Sequence, residues 1–131
     1  MKYIIALTLL THCISLQAQD LKLMDYLGAD KNRLINAIQN SPNFTNIEVV
    51  NNDTLYSIYK ETIGVKFIFL QDKVFIQEII YPRDMSNTVM KYLMNMVVIE
   101  PRESYVNFNV DPPTFHKVIW EEDYLILTLY E

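Results

Sequence analysis

Two histidines, one cysteine, 16 carboxylates and nine tyrosines are the side chains with which this 131-residue chain could do chemistry. A serine–histidine–acid triad needs a histidine beside a nucleophile on a sharp strand-to-helix turn, and no G-x-S-x-G sequence occurs. His116 sits next to Lys117 in a strand-like stretch, where a surface or half-buried structural histidine is expected, so His116→Ala should leave any activity intact. Carboxylate-only chemistry needs two acids at a set separation. Glu78 interrupts an apolar run between Ile76 and Ile80. Turned inward, its carboxyl would be desolvated and tuned for acid–base work; turned outward, it would face water or pair with Lys66 on the neighbouring strand. The cluster Glu121-Glu122-Asp123 lacks the alternating acidic pattern of a calcium loop and reads as a solvated hairpin tip. Two glycines are too few for a glycine-rich phosphate loop. With 11 basic against 16 acidic residues and no basic run, the chain lacks the electrostatic footprint of a nucleic-acid binder.

Tyrosines are the remaining signal. Tyr56, Tyr59, Tyr81, Tyr105 and Tyr124 all fall in or beside predicted strands. A phenol ring offers contact area and tolerates water at its tip, which suits a binding face. The same residue is equally at home in a half-buried sheet. These five are the candidate binding surface. No residue is expected to be catalytic, to bind a cofactor or to hold a metal.

Residues 1–19 have the layout of a secretory signal peptide: Lys2, an apolar run from Tyr3 to Leu10, then a polar closing segment ending Gln17-Ala18-Gln19. The run is shorter than the roughly 20 apolar residues that a transmembrane helix needs. Removing the leader takes away Lys2, His12 and Cys13, so 11 basic residues become 10 against 16 acidic, a formal charge of −6. The mature chain is then free of cysteine, which fits an oxidising compartment. An alternative makes Cys13 the lipidated first residue of an envelope lipoprotein, but His12 stands where a lipidation signal takes a small residue. The expected location is periplasmic or secreted, and the expected partner is another exported or envelope protein.

The mature chain, residues 20–131, has no linker-like or low-complexity stretch and is expected to form one α+β domain. An apolar stretch, Leu21 to Leu27, stops at Gly28; Asp30 then caps a helix whose apolar face is Leu34, Ile35 and Ile38, ending before Ser41-Pro42. Strands follow: one through Ile47 to Val50, a turn at Asn51-Asn52-Asp53, Leu55 to Lys60, a turn marked by Gly64, Val65 to Leu70, a turn at Gln71-Asp72-Lys73, and Val74 to Tyr81. A second helix is expected after Pro82, with Val89, Met90, Leu93, Met94 and Val97 on its apolar side, ending near Glu100-Pro101. Tyr105 to Val110, Phe115 to Trp120 and Tyr124 to Tyr130 complete the pattern. The expected architecture is two helices packed on one face of an antiparallel, mostly meander sheet of about seven strands.

The run Tyr26-Leu27-Gly28-Ala29-Asp30-Lys31 leads into a helix. Strands bearing Tyr56, Tyr59 and Val65-Lys66-Phe67-Ile68-Phe69 follow, before Asp72-Lys73-Val74. This arrangement resembles small exported modules of the SmpA/OmlA type. The same helix-plus-meander unit occurs twice in β-lactamase-inhibitor proteins. The resemblance spans roughly residues 26–80 and implies a module that acts by binding other proteins, as an assembly factor or inhibitor, with a sheet face; it assigns no individual site residue. Such assembly factors are lipoproteins, from which Cys13 in its present setting departs. The resulting expectation is a non-enzymatic exported binding module; the alternative is a small apolar-ligand carrier with an aromatic-lined pocket between a curved sheet and the second helix.

Overall fold

A computed structural model describes residues 26–131. The predicted signal peptide, Cys13 and the start of the apolar stretch before Gly28 lie outside the described residues. Helix α1 (Lys31–Gln39) begins where the sequence places it. Asp30 adopts an extended conformation and its carboxylate accepts a hydrogen bond from the Arg33 N–H at 3.1 Å, relieving one of the free amides of the first turn. Leu34 and Ile38, one turn apart, are its buried apolar residues. Four strands follow: β1 (Phe44–Val50), β2 (Thr54–Tyr59), β3 (Ile63–Leu70) and β4 (Lys73–Pro82). A 3₁₀ turn at Arg83–Met85 leads into helix α2 (Ser86–Leu93), and four more strands close the chain: β5 (Val97–Glu100), β6 (Ser104–Asn107), β7 (Thr114–Trp120) and β8 (Tyr124–Tyr130).

The strands make one antiparallel sheet of eight in the order β1-β2-β3-β4-β8-β7-β6-β5. Each half of the chain is a helix followed by a four-strand meander, and the last strands of the two meanders pair at the centre. That order is unchanged when the halves are exchanged about an axis through the sheet between β4 and β8. Eight strands rather than about seven result because α2 stops at Leu93. Val97, which extends the helical spacing of Val89 and Leu93, instead starts β5, so the end of the expected helix, residues 94–100, is turn and then strand. Val97-Val98-Ile99 is a β-branched run, whose stiff side chains fit an extended backbone better than a helix.

The turns also depart from one expectation. Gly64 lies within β3, opposite Ile58 and Ile80. The turn before it is made by Lys60 and Glu61, both with positive φ. Asn51-Asn52 and Gln71-Asp72 turn in the left-handed region as well. Asn and Asp tolerate that region through short polar side chains, whereas Lys and Glu give no such sign in a sequence.

One face of the sheet carries the core. Across the strands, Leu55, Phe67, Gln77, Leu129, His116 and Tyr105 form one register row, and Ser57, Val65, Ile79, Leu127 and Val118 form the next. Every one of these is buried. Leu34 and Ile38 of α1 and Val89 and Leu93 of α2 belong to the same apolar cluster. Lys31 is buried too: its ammonium donates to the backbone carbonyl of Asn52 and to the Asn52 side-chain oxygen at 2.7 Å, and lies 5.7 Å from the centre of the Phe69 ring. It ties the start of α1 to the β1–β2 turn.

Candidate functional site: the open face of the sheet

Because side chains alternate along a strand, the residues between those core rows point to the other side. Three rows cross that open face. The first holds Glu48, Tyr56, Lys66, Glu78, Thr128 and Lys117, from β1, β2, β3, β4, β8 and β7 in turn. On one side of it run Ile58, Gly64, Ile80, Ile126 and Ile119; on the other, Thr54, Ile68, Ile76, Tyr130 and Phe115. A charged row is thus flanked by two apolar ones. None of these side chains belongs to the core cluster, and Tyr56, Ile80, Ile119 and Tyr130 are 36–41 % exposed. A solvated face of an antiparallel sheet is ordinarily polar. Apolar rows left outside the core are the kind of feature from which interaction surfaces are built.

The face has shape as well as composition. Lys66 lays its ammonium 5.7 Å from the centre of the Tyr56 ring, and Phe115 and Tyr130 stack with centroids 5.4 Å apart and planes 15° from parallel. Gly64 leaves a dent: a Cβ there would sit 3.4 Å from the Ile80 Cβ. Around that dent is an open depression of about 530 Å³, lined by residues that include Glu48, Tyr56, Ile58, Lys66, Glu78 and Ile80. None of its lining comes from α2, so it is not the pocket between sheet and second helix expected of a carrier. The face narrows at β6, where Val106 points to the open side yet is 2 % exposed.

Two of the five tyrosines singled out from the sequence are exposed. Tyr56 stands on the open face, and Tyr124 lies at the start of β8, at the far end of the sheet from Tyr130. Tyr59, Tyr81 and Tyr105 are 5 %, 1 % and 4 % exposed and pack in the core. The Tyr105 hydroxyl accepts a hydrogen bond from the Arg102 N–H at 3.0 Å. Burial, with Tyr92 and Tyr59 nearby, pushes the Tyr81 pKa well above that of an ordinary phenol. Five residues in strands therefore divide between two faces, and the register decides which goes where.

His116 departs from the expected surface or half-buried position: it is 2 % exposed, in the core row between Leu129 and Tyr105. Its Nε2 lies 2.9 Å from the Thr114 hydroxyl, its ring meets Tyr92 edge-on at 5.9 Å, and its Nδ1 has no partner among the described residues. Burial lowers its pKa to about 4. Glu78 stands on the open face directly opposite Lys66. Glu121, Glu122 and Asp123 are exposed in the β7–β8 turn. Among the described residues, no group of three or more His, Cys, Asp or Glu side chains is arranged to hold a metal ion, and no helix is long and apolar enough to cross a membrane.

Ile58, Ile80, Ile126, Ile119, Ile68 and Ile76 were not singled out from the sequence. Their signal was present: β3, β4 and β8 are apolar at both alternating sets of positions, the mark of strands covered on both sides. Trp120 is the other residue of note, held between the guanidinium groups of Arg83 and Arg102 at 4.9 and 4.6 Å, with its indole N–H donating to the Arg102 carbonyl at 2.7 Å. No known protein family, curated protein or solved structure matches the chain.

Proposed function

We propose that this chain is an exported protein-binding module whose working surface is the open face of its sheet. The observation that carries the reading is the pair of isoleucine-rich rows flanking Lys66 and Glu78, left outside the core on the face away from it. Apolar rows supply the area that drives association. The charges between them fix register and suppress wrong partners. The layout of residues 1–19 supports export to the periplasm or beyond, with the partner an envelope or exported protein, and the lipid-anchored form starting at Cys13 is the alternative. The helix-plus-meander arrangement of each half is in keeping with the resemblance to assembly-factor and inhibitor modules built on that unit.

Photo-crosslinking in the native host tests this. A benzophenone side chain at Ile80 or Ile119 is expected to give a discrete protein adduct, and one at Glu122, in the β7–β8 turn, is expected to give none. Failure at both face positions, or a small apolar molecule co-purifying in their place, would overturn the reading.

A further inference from the structure

The open face is self-complementary. Read across the strands, its charged row runs Glu48, Tyr56, Lys66 and then Glu78, Thr128, Lys117. Reversing the row about the line between β3 and β4 sets Lys66 against Glu78, Tyr56 against Thr128 and Glu48 against Lys117. Each charge meets its opposite. The apolar rows obey the same reversal: Ile68 meets Ile76, Ile58 meets Ile126, and the dent at Gly64 meets Ile80.

We propose, resting on the sheet-face reading above, that the partner is a second copy of this chain. The two copies pack open face to open face about a twofold axis running along the strands between β3 and β4. Such an interface is isologous: whatever one copy offers, the other returns. Two twisted sheets stack at about 10 Å with their strands within about 30° of each other, so register is kept best near the axis. Lys66, Glu78, Gly64 and Ile80 are all there. Two other twofold arrangements are disfavoured by charge. An axis along the charged row would stack Lys66, Glu78 and Lys117 each on its own copy, and an axis between β4 and β8 would set Lys66 against Lys117.

Six strands about 4.8 Å apart, each offering about 17 Å of length, give a flat footprint of roughly 500 Å² per copy, at the small end of specific interfaces. A reversible dimer is therefore expected, dissociating in the micromolar range. The strands β6 and β5 overhang it on each side, and β5 keeps Val97, Val98 and Ile99 more than half exposed.

Sedimentation equilibrium on the protein with charge-exchanged variants tests the pairing. Lys66→Glu places two carboxylates in the central pair and Glu78→Lys places two ammonium groups there, so each variant alone should dimerise at least tenfold more weakly than the parent. Mixed in equal amounts, the two should form a heterodimer of parental strength, because every central contact between copies is again opposite in sign. Within each chain the like-charge pair persists, so recovery on mixing cannot come from a repaired fold. Circular dichroism of each variant shows that it is folded. A parent that stays monomeric at high concentration overturns the proposal, as does a dimer indifferent to both changes or one not recovered on mixing. If the parent is monomeric while the benzophenone at Ile80 captures a different protein, self-pairing fails and the sheet-face reading stands; with no adduct at all, both fail.

Discussion

Protonating His116 should strongly destabilise this protein. In the folded chain its imidazole is 2 % exposed and its pKa is lowered from 6.5 to about 4 by burial. In the unfolded chain it returns to the ordinary value near 6.5. The unfolded state thus binds the proton first as pH falls, and stability is lost from about pH 6.5 down to about pH 4, below which the histidine term is constant. Two and a half units at about 1.4 kcal/mol each make the loss roughly 3.5 kcal/mol, a large fraction of the ~5–15 kcal/mol typical of a domain. The assay is urea denaturation between pH 7.5 and 4 on the parent and on His116→Leu, which cannot titrate. At pH 7.5 the two should lie within about 1.5 kcal/mol, since the variant gives up the contact with Thr114 and also removes the unpartnered Nδ1. By pH 4.5 the variant should be the more stable. Parallel stability profiles for the two proteins, or a His116 pKa measured near 6.5 by NMR in the folded state, would refute the reasoning.

Three other outcomes are expected. Lys31→Met should cost about 2 kcal/mol in a chemical denaturation curve, because it deletes a charge-assisted bond between α1 and the β1–β2 turn and leaves the Asn52 acceptors to water. Deleting the last six residues should abolish the cooperative near-ultraviolet and thermal transitions, since it removes Leu127 and Leu129, both fully buried, and most of the strand that joins the two meanders. Hydrogen exchange read by mass spectrometry should show the slowest amides in β4 and β8 and the fastest strand amides in β5, the edge strand with all four residues exposed. Equal protection in β5 and β8 would contradict the edge assignment.

Much of the local structure follows from the residues alone. Asp30 caps α1 as its position suggests, Leu34 and Ile38 give the helix its buried face, and Asn51-Asn52 and Gln71-Asp72 supply left-handed turns. Elsewhere local signals compete. Val97 extends the spacing of Val89 and Leu93, which favours helix, while the β-branched run to Ile99 favours strand, and pairing with β6 decides for the strand. Gly64 looks like a turn residue but serves as a gap in β3 opposite Ile80; the turn itself falls on Lys60 and Glu61, held at positive φ by the hairpin rather than by any preference of their own. The candidate tyrosines show the same division. Nothing in the chain separates Tyr56 from Tyr59, three residues apart, yet the period of two in a strand sends them to opposite faces.

By itself, then, the sequence determined an α+β chain with a capped first helix, hairpins at its Asn and Asp turns, and strands apolar on both faces. Those are properties of neighbouring residues, set by dihedral preference and alternation. Only the tertiary structure decided that β4 pairs with β8, that His116 is buried while Glu78 is not, and that Lys66, Glu78 and Lys117 stand in one row between two rows of isoleucine. Such rows join residues up to 80 positions apart, and their content depends on strand order and register, which no local stretch of sequence encodes.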